Sequence, residues 1–454
     1  MLGGNLTGGT TVSASQSPAQ TGTQQSIRLD PWLDRYADRT AGLSASEVRA
    51  LFAVASRPEV VSLAGGMPFV SALPQEMLQD AARIATTTRR GEALQYGSGQ
   101  GIPYFREQIC EIMSLEGIHA HPDDVVVTTG SQQAVDLVSQ IFLNPGDVVL
   151  AEGPSYVGSL GIFRSYQAET VHVPMDDDGL IPQALRETIA RLEAAGRPIK
   201  FLYTIPDFHN PAGVTMTMER RREVLDICHR HHILVLEDNP YGLLWFDRVP
   251  PEAIRSLDSE GVIYLGSFSK IFAPGFRIGY VLAPHAIREK IVLANESAVL
   301  SPTTFGQIMI SEYLDHNDWR GQIDTFRGLY RDRRDAMINA LDEQLPTLPK
   351  THPNGGFYVW LGLPEGFDSK EMLPLAVHEL VAYTPGTAFY ADGTGQDHIR
   401  LSFCYPTPEE IGVGIQRLAK VIHREQDLLD TFGTSPRPAV DTQHAVSTPP
   451  PDTL

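Results

Sequence analysis

Seven short runs of aliphatic and β-branched residues constrain this chain more than any other feature of its sequence. They fall at residues 125–129, 148–151, 170–173, 199–204, 233–237, 262–266 and 278–283, and several are apolar almost throughout. A strand with apolar side chains on both faces has to be covered on both, as in a parallel sheet held between two layers of helix. Helical spacing lies between some of the runs. Ala134, Leu137, Val138, Ile141 and Phe142 share one face of 131–143, and Val224, Leu225 and Cys228 do the same within 218–232. The expected fold class is α/β, a large domain whose mostly parallel seven-stranded sheet is flanked by helices. After about residue 302 the pattern changes to a charged helical stretch at 319–344, a β unit at 356–361 and a last helix near 409–429, which predicts a smaller α+β domain. The expected boundaries are 75–318 for the large domain and 319–430 for the small one, with 27–74 packing against the latter.

Residues 1–26 are rich in Gly, Thr, Ser and Gln, and 431–454 in Pro, Ser and Thr. Neither segment can bury enough apolar surface to offset the entropy of ordering, so both are expected to be disordered tails. The formal net charge of −19 disfavours nucleic acid and anionic membranes as partners. No apolar stretch approaches the ~20 residues of a membrane span, and residues 1–26 lack the basic start and apolar run of a secretory signal. Cys110, Cys228 and Cys404 are odd in number and scattered, which argues against a disulfide framework and fits a reducing, cytoplasmic setting. The HRHH run at 229–232 reads as a helix end favoured by the dipole, not a metal site, and the acidic cluster at 176–178 as a turn.

Five segments place polar chemistry where an apolar run stops. In GVIYLGSFSKIFAPGFRIGY (261–280), Lys270 follows a strand and two hydroxyls, Ser267 and Ser269, and Arg277 precedes the next strand. A lone lysine is ordinarily a solvated surface residue. This spacing instead sets an amine that can form an imine beside groups that can bind a phosphate. ILVLEDNPYG (233–242) puts Asp238 at the carboxyl end of a strand, where α/β sheets bind ligands. A carboxylate there can keep a pyridinium nitrogen protonated, or can simply be a turn acid. Tyr241, three residues on, is either a partner for a cofactor's phenolate oxygen or a core aromatic. FLYTIPDFHNPAG (201–213) offers the Asn210 amide at the sheet edge, in what is otherwise a common turn sequence. In VVVTTGSQQA (125–134) a helix opens at Ser131 after Gly130. Its free backbone N–H groups make an anion site, the plainer alternative being a serine N-cap. The segment matches neither a Walker loop nor a dinucleotide fingerprint. In DHIRLSF (397–403), Arg400 can clamp a carboxylate through two parallel hydrogen bonds, or form a structural ion pair.

Taken in order, YTIPDFHNPAG, EDNPYG, SFSK with PGFRIG, and IRLSF resemble the class I/II aminotransferases of pyridoxal-phosphate fold type I, over roughly residues 35–424. SLAGGMP (62–68), LQYGSGQGIPYFRE (94–107), TTGSQQAVDL (128–137), PSYVG (154–158) and PNGGFYVW (353–360) bring it nearest the branch of 2-aminoadipate and kynurenine aminotransferases and the aminotransferase-like half of MocR regulators. The resemblance implies pyridoxal 5'-phosphate as cofactor, with Lys270 as its Schiff-base lysine and proton shuttle. It implies that Asp238 pairs with the pyridine nitrogen, that Asn210 and Tyr241 hold the phenolate oxygen, and that Tyr156 stacks on the ring. Ser131, Gln132, Ser267, Ser269 and Arg277 would bind the phosphate, with Tyr96 reaching the phosphate of a neighbouring subunit in a homodimer. Arg400 would take the substrate α-carboxylate with Gly66 nearby, and Arg49, in SEVRALF, falls where that branch meets the substrate side chain.

The implied reaction moves an amino group from an L-amino acid to a 2-oxo acid, with 2-oxoglutarate the expected acceptor, by ping-pong kinetics. A β-lyase or amino-acid-modifying enzyme would use the same lysine and aspartate and remains an alternative. A MocR-like regulator would need a DNA-binding domain ahead of residue 28, and the acidic charge disfavours it.

Overall fold

The computed structural model describes residues 30–43 and 57–433. Both expected tails, apart from the last residues of the final helix, and Arg49 lie outside the described residues. A short strand, β1 (Val61–Ser62), precedes the central sheet, whose strands are β2 (Val125–Thr128), β3 (Val148–Gly153), β4 (Glu169–Asp176), β5 (Gly179–Leu180), β6 (Ile199–Thr204), β7 (Leu234–Asp238), β8 (Val262–Ser267) and β9 (Gly279–Leu282). Their order is β2-β9-β8-β7-β6-β3-β4-β5. The pairs β3–β4, β3–β6, β6–β7 and β7–β8 are parallel, and β9 runs antiparallel to both its neighbours.

All seven apolar runs are strands of this sheet. The eighth strand, β5, is the addition: two residues pair antiparallel with the end of β4, Met175 opposite Leu180 and Asp176 opposite Gly179. This closes the acidic turn, where Arg220 Nη1 lies 2.6 Å from Asp176 Oδ1. Two residues carry too little apolar pattern to announce a strand.

Alternation along the strands explains why both faces are covered. Val149, Ala151, Phe201 and Tyr203 pack on one side with Ala134, Leu137 and Val138 of the helix Ser131–Phe142. Val148, Leu150 and Leu202 pack on the other with Leu185 and Ile189 of Pro182–Ala194 and Val224 and Cys228 of Met218–Arg230. At the end of that last helix His231 Nδ1 lies 2.8 Å from Glu193 Oε1, and His229 pairs with Asp258. No group that could hold a metal occurs among the described residues.

The C-terminal unit contains β10 (Tyr358–Gly362), β11 (Val381–Ala382), β12 (Thr384–Pro385) and β13 (His398–Ser402). β10-β13-β12 form an antiparallel sheet, and β1 pairs parallel with β11, so the segment before residue 75 packs on this unit. The long helix Trp319–Gln344 and the last helix, Pro408–Phe432, pack against each other in this unit. The last helix reaches two residues into the expected C-terminal tail before Gly433 ends it. Among the described residues no helix is long and apolar enough to cross a membrane.

Parallel strands align their carboxyl ends, and that alignment builds the site. Asp238 at the end of β7 faces Leu265 of β8, Ser267 at the end of β8 faces Gly279 of β9, and Gly279 faces Thr128 of β2. Residues 130–132, 238–241 and 267–277 therefore emerge along one edge, opposite the C-terminal unit.

Candidate active site

Lys270 lies just beyond β8. Its Nζ donates to the Gly66 carbonyl at 2.8 Å and stands 5.4 Å from the centre of the Phe357 ring. Burial, reinforced by the nearby cations Arg400 and Arg277, pushes this amine down to about 8, with Cys404 opposing. An amine held there is neutral often enough near pH 7 to act as base or nucleophile.

Asp238 is buried, and its two oxygens differ. Oδ2 accepts from the Tyr203 hydroxyl at 2.7 Å, while Oδ1 is buried without a partner. Burial pushes this carboxyl up to about 6, and the Tyr203 hydrogen bond works the other way. A buried carboxylate oxygen with nothing to accept from is costly, and a cationic N–H supplied by a ligand would satisfy it.

The anion cup comes from three strand ends. Gly130 has φ +82° and caps the helix that starts at Ser131. A Cβ on Gly130 would stand 2.5 Å from Arg277 Nη2, and one on Gly279 would stand 2.5 Å from the Ser131 backbone nitrogen. The positive φ at Gly130 and the backbone contact at Gly279 disfavour a side chain at either place, and the guanidinium and the helix N-terminus lie side by side. Arg277 itself adopts φ +53°, and the Ser269 N–H donates to Ser267 Oγ at 3.1 Å. Gln132 is exposed on the first turn of the helix.

Opposite the cup lies Arg400, buried on β13. Nη1 donates to Asn210 Oδ1 at 2.8 Å and Nη2 to the Ala64 carbonyl at 2.6 Å, with Thr384 Oγ1 at 3.3 Å. Its Nε is buried without a partner, and its guanidinium lies 4.2 Å above the Tyr358 ring. Asn210 ties the guanidinium fork to the sheet edge and keeps its amide N–H2 for a further acceptor. Tyr156 caps the helix Val157–Ser165, and burial pushes its hydroxyl up to about 12. Tyr241 is buried, and its hydroxyl lies 3.4 Å from that of Tyr358.

Lys270, Asp238, Asn210, Tyr241, Tyr156, Arg400, Gly66 and the cup residues thus share one cleft. Tyr96 does not join them: it is 78% exposed, beside Leu94 at 65% and Leu300 at 58%, on the chain's outer surface. Tyr203 and Tyr358 belong to the site but went unread in the sequence. Both sit within apolar strands, where an aromatic looks like ordinary core.

These groups could hold pyridoxal phosphate: the cup its phosphate, the orphan Asp238 oxygen its ring N–H, Tyr241 and Asn210 its phenolate oxygen, and Lys270 its aldehyde. A family model described as aminotransferase class I and II matches residues 60–418. The chain is 41% identical over 394 residues to the aromatic-amino-acid aminotransferase 1 of Thermococcus litoralis, covering 86% of this chain and 94% of that protein. It is 34% identical over 396 residues to the 2-aminoadipate transaminase of Thermus thermophilus, covering 86% and 97%. The crystal structure of kynurenine aminotransferase from Pyrococcus horikoshii, in complex with PMP, superposes with a TM-score of 0.83 at 40% identity, covering 86% of this chain and 98% of that one.

Proposed function

This chain belongs to the class I and II aminotransferases and is a pyridoxal-phosphate-dependent enzyme of amino-group transfer; on that premise we propose that it takes the amino group from aromatic or long-chain L-amino acids and passes it to 2-oxoglutarate by a ping-pong mechanism. The donor classes are those named for its relatives, which act on aromatic amino acids, 2-aminoadipate and kynurenine. The observation that carries the site assignment is the pairing of a partly neutral amine, Lys270, with the unpartnered Asp238 oxygen across one cleft.

Pyridoxal phosphate, when bound, supplies an aldehyde carbon for the amine and a ring that accepts the electron pair left at Cα. The chain's own residues do the rest. Gly130, Ser131, Gln132, Ser267, Ser269 and Arg277 would hold its phosphate, Tyr156 would cover its ring, and Asp238 would keep its ring nitrogen protonated. Arg400, oriented by Asn210 and Thr384, takes the substrate carboxylate through its fork. That fixes Cα near Lys270 Nζ, which lets go of the Gly66 carbonyl and accepts the Cα proton. With its amine near 8, about a tenth of Lys270 is neutral at pH 7, enough for a base whose proton must also be returned. The 2-oxo product leaves before the acceptor enters, because both carboxylates use Arg400.

Two chains complete the enzyme. The exposed Leu94, Tyr96 and Leu300 lie together, Gly97 N–H reaching Ser301 Oγ at 3.4 Å, and this apolar surface supports a homodimer in which Tyr96 reaches the partner's phosphate cup. Free thiols at all three cysteines support a cytoplasmic setting. The test is a donor panel of tryptophan, phenylalanine, kynurenine, 2-aminoadipate and leucine with 2-oxoglutarate, followed by glutamate formation. Parallel double-reciprocal lines and glutamate are expected. Release of pyruvate and ammonia without any acceptor would replace transfer by a β-lyase reaction.

A further inference from the structure

Among the described residues of the cleft, Tyr358 is a polar group that neither cofactor nor substrate binding has used. It opens β10, and its ring lies beneath the Arg400 guanidinium at 4.2 Å. Its hydroxyl projects toward the strap at 64–67: a Cβ on Gly66 would stand 2.0 Å from that oxygen. The hydrogen bond its hydroxyl makes is with Tyr241, oxygen to oxygen 3.4 Å, the two rings crossing at 87°. A phenylalanine would fill the same space and stack under Arg400 equally well. A buried hydroxyl costs stability unless it does something a ring alone does not.

We propose that Tyr358 is a positioning residue: its hydroxyl sets the direction and strength of the hydrogen bond that Tyr241 gives to the cofactor's phenolate oxygen. This rests on the cofactor placement proposed above. A phenol has one hydrogen and two lone pairs. In the structure Tyr241 donates to Tyr358. When Tyr241 turns its hydrogen to a ligand oxyanion, its lone pairs open, and Tyr358 is the donor within reach. Donation from Tyr358 then polarises the Tyr241 O–H and strengthens what it gives to the anion. The groups facing the pair are Tyr156, Arg400, Cys404 and Lys270, whose Nζ is 6.0 Å from the Tyr241 ring centre. Burial holds both phenols above their ordinary range, so both keep their hydrogens through the working pH range.

The readout is the colour of the bound cofactor. Joined to Lys270 it changes its visible band as it loses a proton, and a hydrogen bond to the phenolate favours the form that has lost it. Holoenzyme of the wild type, Tyr358→Phe and Tyr241→Phe is titrated from pH 5 to 9. Tyr358→Phe is expected to raise the midpoint by about half a pH unit, and Tyr241→Phe by more. Gly66→Ala, which pushes the hydroxyl aside without removing it, is expected to raise it as well. A normal band in Tyr358→Phe with the wild-type midpoint overturns the role of Tyr358 and leaves the cofactor site standing. A wild type with no cofactor band overturns both.

Discussion

Replacing Asp238 with asparagine should make the cofactor-free protein more tolerant of alkaline pH while destroying its function. Burial lifts this carboxyl from 3.8 to about 6 in the folded chain. Below pH 3.8 the group is protonated in both states and contributes nothing to pH dependence. Between 3.8 and 6 the unfolded chain has lost the proton and the folded chain keeps it, so stability falls as pH rises. Above 6 the loss is complete. At about 1.4 kcal/mol per pH unit, the interval amounts to about 3 kcal/mol, roughly half of it already lost at pH 5. Asparagine cannot ionise and escapes this loss. Urea unfolding of cofactor-free wild type and Asp238→Asn, at one fixed protomer concentration between pH 5 and 8, measures the difference. The gap should widen in favour of the variant by about 1–2 kcal/mol across that range. Added pyridoxal phosphate should close it, because the ring's N–H⁺ forms an ion pair with the orphan oxygen only in the wild type. Parallel pH profiles would show that Asp238 is not desolvated, and the reasoning about its unpartnered oxygen would fail.

Two further outcomes follow from the same geometry. Arg400→Lys keeps the charge but loses the fork that spans Asn210, Ala64 and Thr384. Loss of one of two parallel charge-assisted bonds, about 2 kcal/mol, should lower kcat/KM about 30-fold for amino acids and 2-oxo acids alike in initial-rate assays. Unchanged KM values would remove Arg400 from carboxylate binding. Gly130→Ala combines a φ of +82° with a contact of 2.5 Å to Arg277. It should weaken cofactor affinity at least about tenfold in a fluorescence titration, and unaltered affinity would locate the phosphate elsewhere.

Much of the architecture could be read from residue pattern alone, because parallel strands buried on both faces leave continuous apolar runs, as few other structures of this length do. The candidate site was legible where chemistry interrupts such a run: Asp238 closing β7, Lys270 and Arg277 between β8 and β9, Gly130 between β2 and its helix. It was illegible where a polar atom rides on an otherwise apolar side chain inside a strand. Tyr203 and Tyr358 each offer a ring to the core and a hydroxyl to the cleft, and period-two alternation registers only the ring. Gly66 was expected near the substrate, and the structure gives it a specific partner, the Lys270 amine. Tyr96 shows the limit of a single chain: its 78% exposure is compatible with work done only in a neighbour's cleft.

The most direct measurement is borohydride reduction of the protein loaded with pyridoxal phosphate, followed by proteolysis and mass spectrometry. A pyridoxyl group fixed on Lys270, and its loss in Lys270→Ala together with turnover, is the expected result. A fixed group on another lysine, or none on a protein that still transfers amino groups, would mean that the chemistry is carried somewhere other than this cleft.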